Sequence, residues 1–209
     1  MITGPNRVFR TSLHRTISFF LAATLFSPLT QAQAPTELPI FKITPEGSSI
    51  KFGVKASVSI EGTFDKWDAT FTVTSTKAES GVLDVKIQAD SVNTGSGMKD
   101  GKLKGKDFFD AKVDPLITFH STKIVQTGPN TFDVQGMFTI RGVSRTETLN
   151  LTLSGEGTGS GEVTGTMAFD RKEYGMNSGI PFIKIADRVE VSINLKGRRV
   201  SGPPVVFKH

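Results

Sequence analysis

From Phe41 onward the apolar residues recur at every second position, and that period restricts the fold more than any other feature of the chain. Phe52, Val54, Ala56, Val58 and Ile60 alternate with Lys51, Gly53, Lys55, Ser57 and Ser59. Leu83, Val85, Ile87 and Ala89 form a second ladder, and Phe132, Val134, Gly136, Phe138 and Ile140 a third. The pattern continues through Leu149, Leu151 and Leu153, through Val163, Gly165, Met167 and Phe169, and through Val189, Val191, Ile193 and Leu195. Successive side chains on a strand point to opposite faces, so strict alternation between turn signals marks half-buried antiparallel strands. The dividing turns are Gly128-Pro129-Asn130, Gly142, residues 155–161 and Asn177-Ser178-Gly179. About eight strands with few helical patterns predict an all-β domain, either a sandwich or an eight-stranded antiparallel barrel.

Residues 91–105 (SVNTGSGMKDGKLKG) break the alternation and hold one or two turns of helix around residues 97–103. Two adjacent phenylalanines follow, Phe108 and Phe109, which cannot both enter one face of a sheet. They read as a plug across the end of a hollow body, with the helix as a cap. Pro115 then ends that segment and frees residues 116–125 to form a strand.

The first 34 residues have a different character. Arg7, Arg10 and Arg15 precede an apolar run at residues 17–29, followed by Thr30-Gln31-Ala32-Gln33-Ala34. A basic start, a short apolar middle and small residues at a cut site describe an export signal. Cleavage is expected after Ala32 in preference to Ala34, which Pro35 follows. The thirteen residues of that run, with Pro28 among them, are too few to span a bilayer. Loss of residues 1–34 removes three arginines and no acid, lowering the net charge from +5 to +2, which does not call for a nucleic-acid partner. The chain has no cysteine, which excludes disulfides, thiolate metal sites and cysteine nucleophiles. An exported, cysteine-free chain points to the periplasm. The expected organisation is a signal at 1–34, a barrel at 35–200 and a tail at 201–209 that extends beyond the last strand.

Catalysis has little to stand on. After the signal the histidines are His120 and His209, and one internal histidine is not a metal site. His120 falls on the outward face if Ile117 and Phe119 face inward. No serine carries a nucleophile-elbow pattern, and no phosphate loop or dinucleotide fingerprint occurs. The acids Asp65/Asp68, Asp107/Asp110/Asp114 and Glu156/Glu162 are expected in turns. Twelve of the sixteen phenylalanines lie after residue 34, giving inward faces without hydrogen-bonding groups, suited to a hydrocarbon. Gly136 and Gly165 are expected to make room among the ladders for a cavity.

Several segments together resemble the YceI family of periplasmic polyisoprenoid-binding proteins. They are residues 50–54 (IKFGV), 62–64 (GTF), 90–95 (DSVNTG), 100–111 (DGKLKGKDFFDA), 115–122 (PLITFHST), 136–143 (GMFTIRGV) and 169–175 (FDRKEYG). The likeness runs from about Thr44 to Lys196, and it is the order and spacing of the segments that make it specific. One departure concerns a histidine common in the family after the F-x-V of the first strand, where this chain reads KASVS. The resemblance implies an eight-stranded lipocalin-like barrel with a helical cap, holding a long isoprenoid chain such as a polyprenyl or quinone tail or a similar lipid; the residues themselves lead to the expectation of no catalysis and no further cofactor or metal. Ladder phase and family position assign Phe52, Val54, Phe64, Phe71, Phe119, Phe138, Met167 and Phe169 to the lumen. Trp67, Phe108 and Phe109 are assigned to the mouth, and Arg171 and Tyr174 to a polar handle near one end. Arg171 pairing with Asp170 or Glu173 is the competing role for that residue. An outer-membrane barrel and an enzyme acting on an amphiphile are the alternative functions, and pairing of two barrels into a homodimer stays open.

Overall fold

A computed structural model describes residue 4 and residues 37–57, 59–155, 159–179 and 184–208. The expected export signal, Val58, Glu156 of the glycine-rich segment, and His209 lie outside the described residues. One compact unit spans Thr36–His209.

Among the described residues ten antiparallel strands form one sheet: β1 (Ile40–Ala56), β2 (Ile60–Phe64), β3 (Trp67–Val73), β4 (Gly81–Gln88), β5 (Val92–Asn93), β6 (Leu116–Gln126), β7 (Thr131–Ile140), β8 (Val143–Ser154), β9 (Ser160–Asp170) and β10 (Ile185–Ser201). The order β3-β4-β6-β7-β8-β9-β10-β1-β2-β5 shows how the sheet closes. β2 and β3 are one strand interrupted at Asp65-Lys66, and β4 and β5 are one strand interrupted by the 3-10 turn Ala89–Ser91. The two interruptions face each other, with the Asp65 N–H donating to the Ser91 carbonyl at 3.1 Å and the Gln88 N–H to the Lys66 carbonyl at 2.9 Å. Counted through these kinks the strands number eight, each paired with the next and β10 with β1. This is an up-and-down barrel, which leaves no long open edge.

Two details differ from the ladders. The run Phe52–Val54–Ala56–Val58–Ile60 is not one strand, because β1 ends at Ala56 and pairs back on β2 from Ile60, with Val54 opposite Ile60. Alternation persisted across a tight hairpin because both of its arms bury the same face. Of the acids expected in turns, Asp68 lies within β3 and Glu162 within β9.

The helix α1 (Gly97–Lys104) caps one end. Asp100 in its first turn accepts the Thr94 N–H at 2.8 Å and the Thr94 hydroxyl at 2.7 Å, which ties the entry loop to the helix and lowers the Asp100 carboxyl below its ordinary range. Leu103 is buried, and its carbonyl accepts the Phe109 N–H at 2.9 Å. The chain thereby turns so that both Phe108 and Phe109 are buried off the helix end, as neither could be on one face of a strand. The tail does not extend away. After Gly202 it folds back over the opposite end of the barrel, where Val206 forms a parallel bridge with Lys77.

The candidate lipid site

The interior divides into two halves. At the helical end, Phe52, Phe64 and Phe109 form a triangle with ring centroids 5.5, 6.2 and 5.8 Å apart. Phe138, Phe169 and Tyr174 form a second triangle at 5.1, 5.5 and 5.2 Å. Tilted and edge-on rings at such distances are packed core. Directly behind the paired phenylalanines, where a lumen is expected from the sequence, these rings meet one another. The expectation that Gly136 and Gly165 make room for a cavity is corrected as well. A Cβ on Gly136 would lie 2.6 Å from the Phe119 ring, and one on Gly165 2.4 Å from Leu151 and 2.9 Å from Ile193. These glycines admit a neighbour's side chain, not a void.

Arg171 and Tyr174 are not a handle on the cavity. The Arg171 side chain is buried and donates to the carbonyls of Ala186 at 3.1 Å, Met176, and Ser178 at 2.9 Å, and to the Asp187 carboxylate at 3.2 Å. Its acidic partner is thus Asp187, not Asp170 or Glu173; Asp170 instead accepts the Lys172 N–H at 2.8 Å. Lys172 also reaches Asp187 at 2.9 Å, and chiefly this hydrogen bond lowers the Asp187 carboxyl. Tyr174 is fully buried and donates to Glu147 at 2.7 Å; burial first, and that acceptor second, push its phenol up. Together they lock the segment after β9 against the barrel.

An apolar cavity of about 250 Å³ occupies the other half. Its wall is built from the inward positions at the far ends of the strands: Phe41 and Ile43 on β1, Phe71 on β3, Leu83 on β4, Ile124 on β6, Phe132 and Val134 on β7, Leu151 and Leu153 on β8, Val163 on β9 and Leu195 on β10. Phe41 and Phe71 meet edge-on at 5.5 Å, bridging the part of β1 that β2 does not cover. Pro204, Val205 and Phe207 of the tail complete the lining, with Phe207 6.0 Å from Phe132. The tail is held by Val206 N–H to the Thr76 carbonyl at 2.7 Å, by two hydrogen bonds between Gln126 and the Lys208 backbone at 2.7 and 2.8 Å, and by Lys208 Nζ on Glu79 at 2.7 Å. The last contact is the chief cause of the lowered Glu79 carboxyl.

Of the residues assigned from sequence, Phe71 alone lines this cavity. Phe52, Phe64, Phe108, Phe109, Phe119, Phe138, Met167 and Phe169 are buried in the core cluster, with Val54 and Trp67 partly buried against it. Sequence reasoning missed most of the cavity wall, though the signal was present, because these residues occupy the same ladder phase one or two steps further along. A larger concavity, about 760 Å³, is bordered by Phe52 and Met167 but mostly by polar residues such as Lys51, Glu61, Arg188 and Glu190, and suits no hydrocarbon. His120 lies on the outer face with Nδ1 2.6 Å from Asp84. Among the described residues no group of three or more His, Cys, Asp or Glu could hold a metal ion.

Residues 41–197 match the family model for the YceI-like domain. The chain belongs to the YceI family. It is similar to BcnA of Burkholderia cenocepacia, with 28% identity, 74% of this chain and 99% of BcnA covered, and a TM-score of 0.68. A YceI protein of Campylobacter jejuni is 25% identical, with 68% of this chain and 86% of that chain covered and a TM-score of 0.57. A polyisoprenoid-binding domain of Saccharophagus degradans, implicated in plant cell wall breakdown, shares the fold at 15% identity, with 77% and 99% of the two chains covered and a TM-score of 0.61. A UPF0312 protein of Pseudomonas savastanoi pv. phaseolicola is 36% identical over 98 residues, 47% of this chain and 51% of that protein, so the match spans about half the length of the curated relative. No helix among the described residues is long and apolar enough to cross a membrane.

Proposed function

We propose that this YceI-family protein is a non-enzymatic carrier or sequestering protein for an isoprenoid or similar amphiphilic lipid, whose chain enters the cavity at the tail end of the barrel. The observation that carries this reading is the cavity itself, walled by apolar side chains from eight of the labelled strands. Each methylene removed from water contributes about 0.8 kcal/mol, so a chain binds there with few polar contacts. The name of the S. degradans domain supports the ligand class. At about 250 Å³ the cavity lies between the ~150 Å³ void that takes up benzene and the ~300–1,000 Å³ of drug-sized pockets. It therefore admits one end of a chain, and a long polyprenyl or quinone tail requires the segment carrying Pro204, Val205 and Phe207 to withdraw. The candidate ligand residues are then Phe41, Ile43, Phe71, Phe132, Val134 and Leu195.

The outward faces argue against a membrane barrel. Lys42, Lys51, Lys86, Lys196 and Glu190 are exposed along the strands, where a bilayer-spanning barrel carries an apolar band. We assign the protein to the periplasm from the signal-like pattern of residues 1–34. Organic extraction of protein purified from its native cells, followed by mass spectrometry, tests the proposal. A stoichiometric isoprenoid is expected; an extract without any lipid sinks it.

A further inference from the structure

One inward position of the cavity wall is not apolar. The inward file of β10 runs Val189, Val191, Ile193, Leu195 and Gly197, and the next member is Arg199. Pairing confirms its face: Arg199 stands opposite Phe41 on β1, and residues directly paired across strands share a face. Both line the cavity, so a guanidinium sits at the rim where the apolar wall ends. Its backbone N–H donates to the Gly159 carbonyl at 2.9 Å, and Nη1 donates to the Gly202 carbonyl, so the side chain is anchored at the opening. A guanidinium has five N–H donors in a planar fork, and this anchor engages one nitrogen.

Arg198 borders the same opening from the outward side. Among the described residues neither arginine forms an ion pair, and Glu79, next in sequence to the cavity-lining Ala78, is held by Lys208 at 2.7 Å. Two cations with no carboxylate partner among the described residues, at the edge of a hydrocarbon cavity, fit one kind of occupant. The chain of such a ligand lies against Phe41 and Leu195, and its head carries negative charge. Arginine binds phosphate and carboxylate through two parallel hydrogen bonds, which water-exposed lysine does less specifically.

We propose that Arg199, with Arg198 beside it, binds the acidic head group of the lipid, so that the protein selects an anionic amphiphile over a neutral one with the same chain. This rests on the cavity being a lipid site, and the test separates the two claims. Farnesol, farnesoate and farnesyl phosphate carry one chain and three heads, and each is titrated against purified protein by displacement of a fluorescent apolar probe at low ionic strength. The acids are expected to bind about tenfold more tightly than farnesol, as one or two charge-assisted hydrogen bonds at a half-exposed rim would give. Preference for both acids assigns the site to negative charge in general; preference for the phosphate alone assigns it to phosphate. Arg199→Gln is expected to bring the acid-to-alcohol ratio close to one, while Arg199→Lys retains part of it. Salt added to the wild-type protein should shrink the same ratio, an arm that does not depend on any variant folding. Farnesol binding as tightly as the acids, or a ratio unmoved by both salt and Arg199→Gln, overturns the head-group assignment and leaves the cavity reading standing. Failure of all three compounds to displace the probe overturns both.

Discussion

Arg171 illustrates how a charged side chain in a family-like motif becomes a structural bolt. Three carbonyls and Asp187 take its donors, so Arg171→Met would leave buried acceptors unpaired while Asp187 keeps Lys172. Because Asp187 is partly solvated, the expected loss is about 2–4 kcal/mol, less than for a fully buried pair, and chemical denaturation midpoints measure it. The acids held by hydrogen bonds make a second prediction. Asp187, Asp107, Asp100 and Glu79 are lowered chiefly by Lys172, Lys102, Thr94 and Lys208 respectively. A carboxyl lowered on folding contributes stability above its unfolded value, about pH 4, and that contribution is lost as pH falls through the folded value. Melting temperature should therefore be level from neutrality to about pH 5 and decline below about pH 4, and Asp187→Asn should make the acid limb shallower. At Gly136, where an added Cβ meets both the His120 carbonyl and the Phe119 ring at 2.6 Å, alanine is expected to cost about 1–3 kcal/mol by overpacking, read from the same denaturation curves.

The two ends of the barrel are closed by different elements with different jobs. At the helical end, α1 delivers Phe109 into a ring triangle, and Phe109→Ala should cost about 3–5 kcal/mol of stability by opening a void in packed core. Its effect on lipid affinity should be small, since the cavity lies in the other half. At the tail end, the closure is a strap held by hydrogen bonds at Thr76 and Gln126 and by one exposed ion pair. Deleting residues 203–209 removes Phe207 from Phe132 and uncovers the mouth. The expected result is faster release of a bound fluorescent lipid in stopped-flow dilution, with a modest fall in melting temperature. Equal release rates with and without the tail would show that it is no barrier to the ligand.

For the molecule as a whole, closure of the sheet sorts its side chains. Inward files carry the phenylalanines and aliphatics, and outward files carry lysines, acids and threonines. The exposed large apolar residues Met98, Val113 and Met137 stand on separate segments, and Ile40 and Val200 meet only at the short start of the β1–β10 pairing. Residues 35–209, expressed without the signal-like segment, should therefore stay monodisperse in size-exclusion chromatography without detergent; dependence on detergent would favour a lipid-facing barrel.

Alternation and turn chemistry suffice to specify antiparallel strands, their faces and the helical interruption before Phe108, because a period of two is a local property of the backbone. The order and spacing of the segments from 50–54 to 169–175 likewise carried the resemblance, and the family model matches residues 41–197. Ladder phase says which face a residue occupies, and Phe71 was legible on that basis. It does not say at what height along the barrel each inward residue sits, nor which rings meet. Whether Phe52 faces a void or Phe64 and Phe109 depends on the register of β1 against β2 and on the turn after α1, both set by contacts between distant parts of the chain. The return of residues 203–208 onto Lys77 and Gln126 is equally non-local. Tertiary packing alone thus decided that Phe52, Phe64 and Phe109 meet at the helical end, that the apolar cavity lies under the tail, and that Arg199 rather than Arg171 stands at its rim.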